Sequence, residues 1–233
     1  MGRIVQKRIV RRLDLERLLS KVEAHPSPRA DLEQYTISAE VAATMLHIAA
    51  YSNGDIIGRS VLDLGCGTGR LALGVVFLGA KQVVGVDIDK AAVRAAVMNS
   101  VNVGLGGKVD WVVADIGAVV GEFDTVLQNP PFGVQKRGAD RVFLEKALEC
   151  GRIVYSLHVH SERDVLPVER LKAGDVLPVA PSPFLGRFIE AHGGRVKAVY
   201  AMAMMIPHMF GFHEERRHES VVDLYVIEKV KKV

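Results

Sequence analysis

The sequence predicts a doubly wound α/β fold: a mostly parallel seven-stranded sheet with helices on both faces and an N-terminal helical extension. Three observations predict it. From Arg59 onward, short apolar runs alternate with segments whose apolar residues recur at helical spacing, the pattern of repeated strand–helix units. A glycine-rich loop, Gly65-Cys66-Gly67-Thr68-Gly69, joins the first such run to the first such helix. Two long β-patterned runs follow near the C-terminus, separated by a polar loop, as an antiparallel pair closing a sheet edge would be.

Residues 13–22 carry Leu15, Leu18, Leu19 and Val22 on one helical face, and His25-Pro26-Ser27-Pro28 then breaks the chain. Residues 39–51 are again helical in pattern. Strands are predicted at 61–64, 82–86, 111–114, 123–128 and 153–157, with helices from the glycine loop through 78, then at 91–103 and 141–149. A helix at 183–192 is stopped by Gly193-Gly194, and the last two strands span 196–205 and 221–228. The Val, Leu, Pro and Gly pattern of 161–180 suggests a small β excursion. The chain thus divides into an extension over 1–58 and one α/β domain over 59–233.

Of the 233 residues, 49% are hydrophobic, enough for a large core, yet no apolar run approaches the ~20 residues of a membrane span. The basic stretch 1–12 lacks the apolar segment of a signal peptide. Cys66 and Cys150 form no disulfide framework and have no zinc-site spacing. Neither His158 and His160 nor His208, His213 and His218 are spaced as ligands, so no metal is expected. These features predict a cytoplasmic protein with reduced thiols and no membrane association. The net charge is only +3, but its distribution is uneven. Lys136, Arg137 and Arg141 follow the Asn-Pro-Pro-Phe turn directly, and Arg216 and Arg217 lie near the C-terminus. Positive charge beside a site suits a phosphate-bearing substrate such as RNA.

The glycine loop with Asp63 two positions before it is a cofactor signature. A dinucleotide fingerprint would need glycine where Arg70 stands. An acidic residue beside Gly65, Gly67, Thr68 and Gly69 instead suits a ligand with a positive amino group, such as S-adenosylmethionine. Asp87, about 20 residues after the loop, is placed to grip a ribose hydroxyl pair. Ile88 would cover one face of an adenine ring, and Asp115 would accept from its amino group. Asp89 is read as the cap of the next helix.

Asn129-Pro130-Pro131-Phe132 ends an apolar strand, where open α/β sheets keep their chemistry. The Asn129 side-chain carbonyl and the Pro130 backbone carbonyl offer two acceptors in one rigid turn shaped by Pro131. Two acceptors match the two donors of a planar NH2 group, and Phe132 would stack on a flat substrate. Hydrogen bonds from the amine to these acceptors would localise its lone pair for methyl transfer.

These pieces resemble the class I S-adenosylmethionine-dependent methyltransferases, with a Rossmann-like sheet, over roughly residues 32–228. The stretches Leu32-Glu33-Gln34-Tyr35-Thr36, Gln128–Gly133 and Val154-Tyr155-Ser156-Leu157-His158 resemble the methyltransferase-like protein 5 family and its archaeal relatives. The resemblance implies N6-methylation of one adenosine in small-subunit ribosomal RNA. It implies that Gln34 and Tyr35 help close the cofactor site. It also implies a small zinc-binding activator protein as partner, which an apolar edge strand around 198–205 would host. One rival is a protein glutamine N5-methyltransferase, disfavoured because that branch carries Tyr where this chain has Phe132. Another is a non-catalytic RNA-binding scaffold, disfavoured by the intact Asp63, Asp87 and Asn129. A nicotinamide oxidoreductase is disfavoured by Arg70.

Overall fold

A computed structural model describes residues 9–34, 36–132, 138–160, 166–207 and 217–230. Five parallel strands come first in the chain: β1 (Ser60–Leu64), β2 (Gln82–Asp87), β3 (Asp110–Val113), β4 (Phe123–Gln128) and β5 (Gly151–Val159). They are followed by β6 (Leu177–Pro178), β7 (Gly194–Pro207) and β8 (Arg217–Lys229), which are joined antiparallel. The spatial order is β3-β2-β1-β4-β5-β8-β7-β6. The order reverses between β1 and β4, which opens a crevice at the carboxyl ends of those strands.

Helices cover both faces. α1 (Arg12–Leu19), α2 (Ala39–His47) and α3 (Arg70–Leu78) bury Leu15, Leu19, Met45, Leu46 and Leu73 in the larger cluster on one face. α2 starts at Ser38, whose hydroxyl accepts from Val41 N at 3.2 Å, and continues into a π turn at Ile48–Ser52. α4 (Lys90–Asn102) follows β2. α5 (Ala139–Cys150) and α7 (Pro183–Ala191) pack Leu144, Leu148, Leu185 and Ile189 against Leu62, Val126, Val154 and Ile227 on the opposite face.

Among the described residues the sheet has eight strands rather than the seven expected. The excursion at 161–180 contains a short helix α6 (Val168–Lys172) and the two-residue β6, which pairs Leu177 with Ala201 and Pro178 with Tyr200. Pro178 has no N–H to donate, which an outermost strand tolerates. This corrects the expectation that 198–205 is a free edge throughout: β6 and Val179 cover β7 at Val199–Ala201, and Ala201, Met202 and Met204 are buried. The other edge of the sheet is β3, where Val112 and Val113 are 40% and 49% exposed.

Gly69 shows how tightly the loop is built. It caps α3 in the left-handed region, at φ 88°, and a Cβ there would lie 2.5 Å from the Trp111 ring. Gly69→Ala should therefore cost roughly 1–3 kcal/mol from backbone strain alone, with displacement of Trp111 added. Thermal unfolding of the ligand-free protein checks this; an unchanged midpoint would contradict it.

Candidate active site

The carboxyl ends of β1, β2 and β4 surround a cavity of about 390 Å³, within the range of small-ligand sites. Its floor is the loop from β1 into α3. Asp63 is 1% exposed, and its carboxylate accepts from Ala72 N at 2.9 Å under the first turn of α3. Burial pushes its carboxyl up to about 7. Gly65 N and Cys66 N both donate to Val86 O at 2.9 Å, which holds the loop against β2.

Asp87 stands at the end of β2, and its two oxygens accept from Gly67 N at 2.8 Å and Asp89 N at 2.9 Å. Burial raises its carboxyl above the ordinary range. Each carboxylate oxygen has a second lone pair, so both can still accept from vicinal hydroxyls. Ile88 is 54% exposed and, with Ile116, gives the cavity two apolar walls suited to a flat ring. Asp115 caps the short helix Ile116–Ala118 through Gly117 N at 2.7 Å and also faces the cavity.

The remaining wall comes from the N-terminal segment, and Asp89 anchors it. Asp89 caps α4 by accepting from Ala91 N at 2.8 Å, as expected, and also accepts from Gln34 Nε2 at 2.8 Å. His25 Nε2 lies 3.2 Å from the same carboxylate. Gln34 Oε1 accepts from Arg29 N at 2.7 Å, so this amide is held at both ends. Arg70 donates to the carbonyls of Val22, at 2.7 Å, and Ile37, which binds the segment to the start of α3. Glu33 is buried at the cavity with φ 47°, a left-handed conformation that costs a non-glycine residue energy.

Asn129 and Pro131 follow β4 and line the cavity, opposite Val142 and Phe143 of α5. Beneath the turn, Gln128 is fully buried and donates through Nε2 to Ser156 Oγ at 2.8 Å. Ser156 Oγ in turn lies 2.8 Å from His158 Nε2. Burial lowers His158 to about 4, so the imidazole is neutral at physiological pH.

The structure gathers Gln34, Asp63, Gly65, Gly67, Thr68, Asp87, Ile88, Asp115, Asn129 and Pro131 around one cavity. It does not bring Gly69, Pro130 or Phe132 into the wall: Gly69 caps α3, Pro130 is buried and Phe132 packs against the larger core cluster. Tyr35 lies outside the described residues, as do Lys136, Arg137, His208, His213 and Arg216. His25, Glu33 and Arg70 are site residues that the sequence reading missed; only the break in glycine spacing at position 70 hinted at one of them.

The wall is rich in carboxylates, from Asp31, Glu33, Asp63, Asp87 and Asp115. Its one arginine among the described residues, Arg70, is bound to backbone carbonyls. Such a cavity fits a ligand with ammonium and sulfonium centres and repels a pyrophosphate.

Residues 42–152 match the family described as the methyltransferase small domain. An uncharacterized protein of Methanocaldococcus jannaschii is 38% identical over 234 residues, covering 95% of this chain and 96% of that protein. The Drosophila melanogaster rRNA N6-adenosine-methyltransferase Mettl5 is 34% identical over 221 residues, covering 92% of this chain and 94% of the fly protein. A Pyrococcus horikoshii crystal structure, described as a candidate RNA methyltransferase, superposes with a TM-score of 0.80 at 35% identity. That match covers 96% of this chain and 100% of the other.

Proposed function

Because the chain belongs to the methyltransferase-like protein 5 family of S-adenosylmethionine-dependent rRNA adenosine N6-methyltransferases, we propose that it methylates one adenosine of small-subunit ribosomal RNA. The observation that supports this most is the shared cavity, which sets Asn129 beside a carboxylate-rich cofactor wall. When bound, the cofactor supplies an electrophilic methyl group. Asp63 and the loop at Gly65–Thr68 are assigned to its amino-acid end, Asp87 to the ribose, and Ile88, Ile116 and Asp115 to the adenine. Gln34 and Tyr35 are assigned to closing the site.

The target amine is a poor nucleophile because its lone pair is delocalised into the ring. The side-chain oxygen of Asn129, a cavity residue, is assigned to accept one N–H bond and the backbone carbonyl of Pro130, buried behind the wall, the other, which localises the lone pair and aims it. The adenosine must leave its stack to reach them. Phe132 is half-buried on the core, and its remaining exposed surface is assigned to holding the extruded base. No strong general base is needed, because the amine becomes acidic as it gains the methyl group.

Buried, free cysteines support a cytoplasmic location. A small zinc-binding activator is proposed as partner on the family resemblance, with the exposed edge of β3 in support. Among the described residues no helix is long and apolar enough to cross a membrane.

The test is methyl transfer from labelled S-adenosylmethionine to purified small-subunit RNA and, in parallel, to large-subunit RNA and a glutamine-containing release factor, with digestion and mass spectrometry. N6-methyladenosine at one position is expected. Label only in large-subunit RNA would overturn the subunit assignment, and label on a glutamine side chain would move the substrate to protein.

Cofactor binding should also depend on pH through Asp63. Its carboxyl sits near 7 in the ligand-free protein, and a neighbouring ammonium favours the ionised form. Below that value, binding must therefore expel a proton. Affinity should weaken as pH falls, approaching about tenfold per pH unit. Calorimetric titration between roughly pH 5.5 and 7.5, below the range where an α-amino group deprotonates, checks this. A flat profile would remove Asp63 from the ammonium site.

A further inference from the structure

The wall of the cavity formed by α5 continues onto an exposed surface that the chemistry above does not use. Gly138, Ala139 and Val142 line the cavity. From the same turn, the Arg141 guanidinium folds back against Gly138, which caps α5 at φ 85°. The Arg141 Cζ lies 5.7 Å from the centroid of the Phe184 ring at the start of α7. Phe184 is 52% exposed, although its neighbours Leu185 and Ile189 anchor α7 in the core. The start of α7 is held by a hydrogen bond from Ser182 N to the buried Tyr225 hydroxyl at 2.8 Å. The exposed ring therefore sits on a fixed support. Arg187 is also exposed and stands three residues after Phe184, on the same helical face. Among the described residues, neither Arg141 nor Arg187 makes an ion pair with a carboxylate.

An outward aromatic ring with one guanidinium against it and a second arginine one turn further along the same helix has the chemistry of a single-stranded nucleotide site. The ring stacks on any base, and the arginines meet the adjoining phosphates. Val142, 58% exposed on the same helix as Arg141, extends the apolar rim toward the cavity mouth.

We propose that Phe184, with Arg141 and Arg187, is an RNA-docking platform that stacks an unpaired base next to the extruded target adenosine. This rests on the reading that RNA is the substrate. The platform is a positioning element: it seats the strand so that the neighbouring nucleotide reaches Asn129.

The test is steady-state methylation of RNA by the full chain and by Phe184→Ala, Phe184→Trp, Arg141→Gln and Arg187→Gln. Phe184→Ala should raise KM for RNA roughly tenfold, with kcat and cofactor affinity unchanged. Phe184→Trp should restore KM, and its fluorescence should be quenched by a short single-stranded oligonucleotide. Each arginine variant should flatten the dependence of log affinity on log salt by about one unit. Thermal unfolding confirms that each variant is folded; at an exposed position Phe184→Ala leaves the core intact. If the parent protein methylates RNA and Phe184→Ala has an unchanged KM, the platform is overturned while the activity stands, and the patch is left to a protein partner. If the parent protein methylates no RNA, the substrate reading fails and the platform with it.

Discussion

Asn129→Ala should lower kcat for methyl transfer by roughly two to three orders of magnitude, the cost of losing one preorganised partner of the reacting group. Cofactor affinity should stay near that of the parent protein, because Asp63, the glycine loop, Asp87 and Ile88 remain in place. RNA affinity should also change little, since phosphate contacts carry most of it. Single-turnover assays with saturating RNA, paired with calorimetry on the cofactor, separate these quantities. Turnover within a few-fold of the parent would remove Asn129 from the reaction. A collapse of cofactor binding would instead mean that the residue holds the loop together. Gln128 offers an internal control. It is fully buried and bonded to Ser156, so its truncation should reduce stability first and rate second.

The second large effect is on Asp63. Asp63→Asn keeps the side-chain shape, and its amide oxygen can still accept from Ala72 N. What is lost is the negative charge assigned above to the cofactor ammonium. Losing a charge-assisted interaction should raise the cofactor dissociation constant roughly 10- to 100-fold. The effect on the ligand-free protein has the opposite sign. Burial raises the Asp63 carboxyl to about 7, above its value in the unfolded chain. Ionisation above that pH therefore opposes folding, and the amide escapes this penalty. At pH 8 the variant should unfold at a higher temperature than the parent while binding cofactor more weakly. A variant both less stable and weaker in binding would show that Asp63 is needed for the fold rather than for the ligand.

The residues that were legible in the sequence share one property: each sits beside a feature with its own local signal. Asp63, Asp87 and Asn129 each end an apolar run or directly precede a turn, so strand periodicity places them at the crevice. The residues that were missed act through contacts between segments far apart in the chain. His25 and Glu33 lie in a stretch with no hydrophobic period, and Asp89 and Arg70 hold that stretch in place. Gln34 was reached only by resemblance. Phe132 shows a different limit. The two prolines reveal the backbone turn, but how much of the ring is buried on the core and how much stays exposed follows from tertiary packing and no short-range rule. The two-residue β6 is too short to show a period of two, and it forms because β7 offers it an edge.

The order of the strands in space has a consequence for how the protein is made. β8 lies between β5 and β7, pairing with β5 from Val159↔Val222 to Ile153↔Glu228. On the ribosome β5 emerges well before β8, so until the later strand arrives the nascent chain presents an open, apolar edge beside the strand that carries the Asn129 turn. Sheet closure must wait for that late, non-local pairing, which is intrinsically slow. A chain that lacks β8 leaves β5, the neighbour of the strand that ends at Asn129, without its outer partner. The activity proposed for the Asn129 turn therefore depends on a strand made late, and until β8 arrives the open β5 edge is a target for chaperones and proteases.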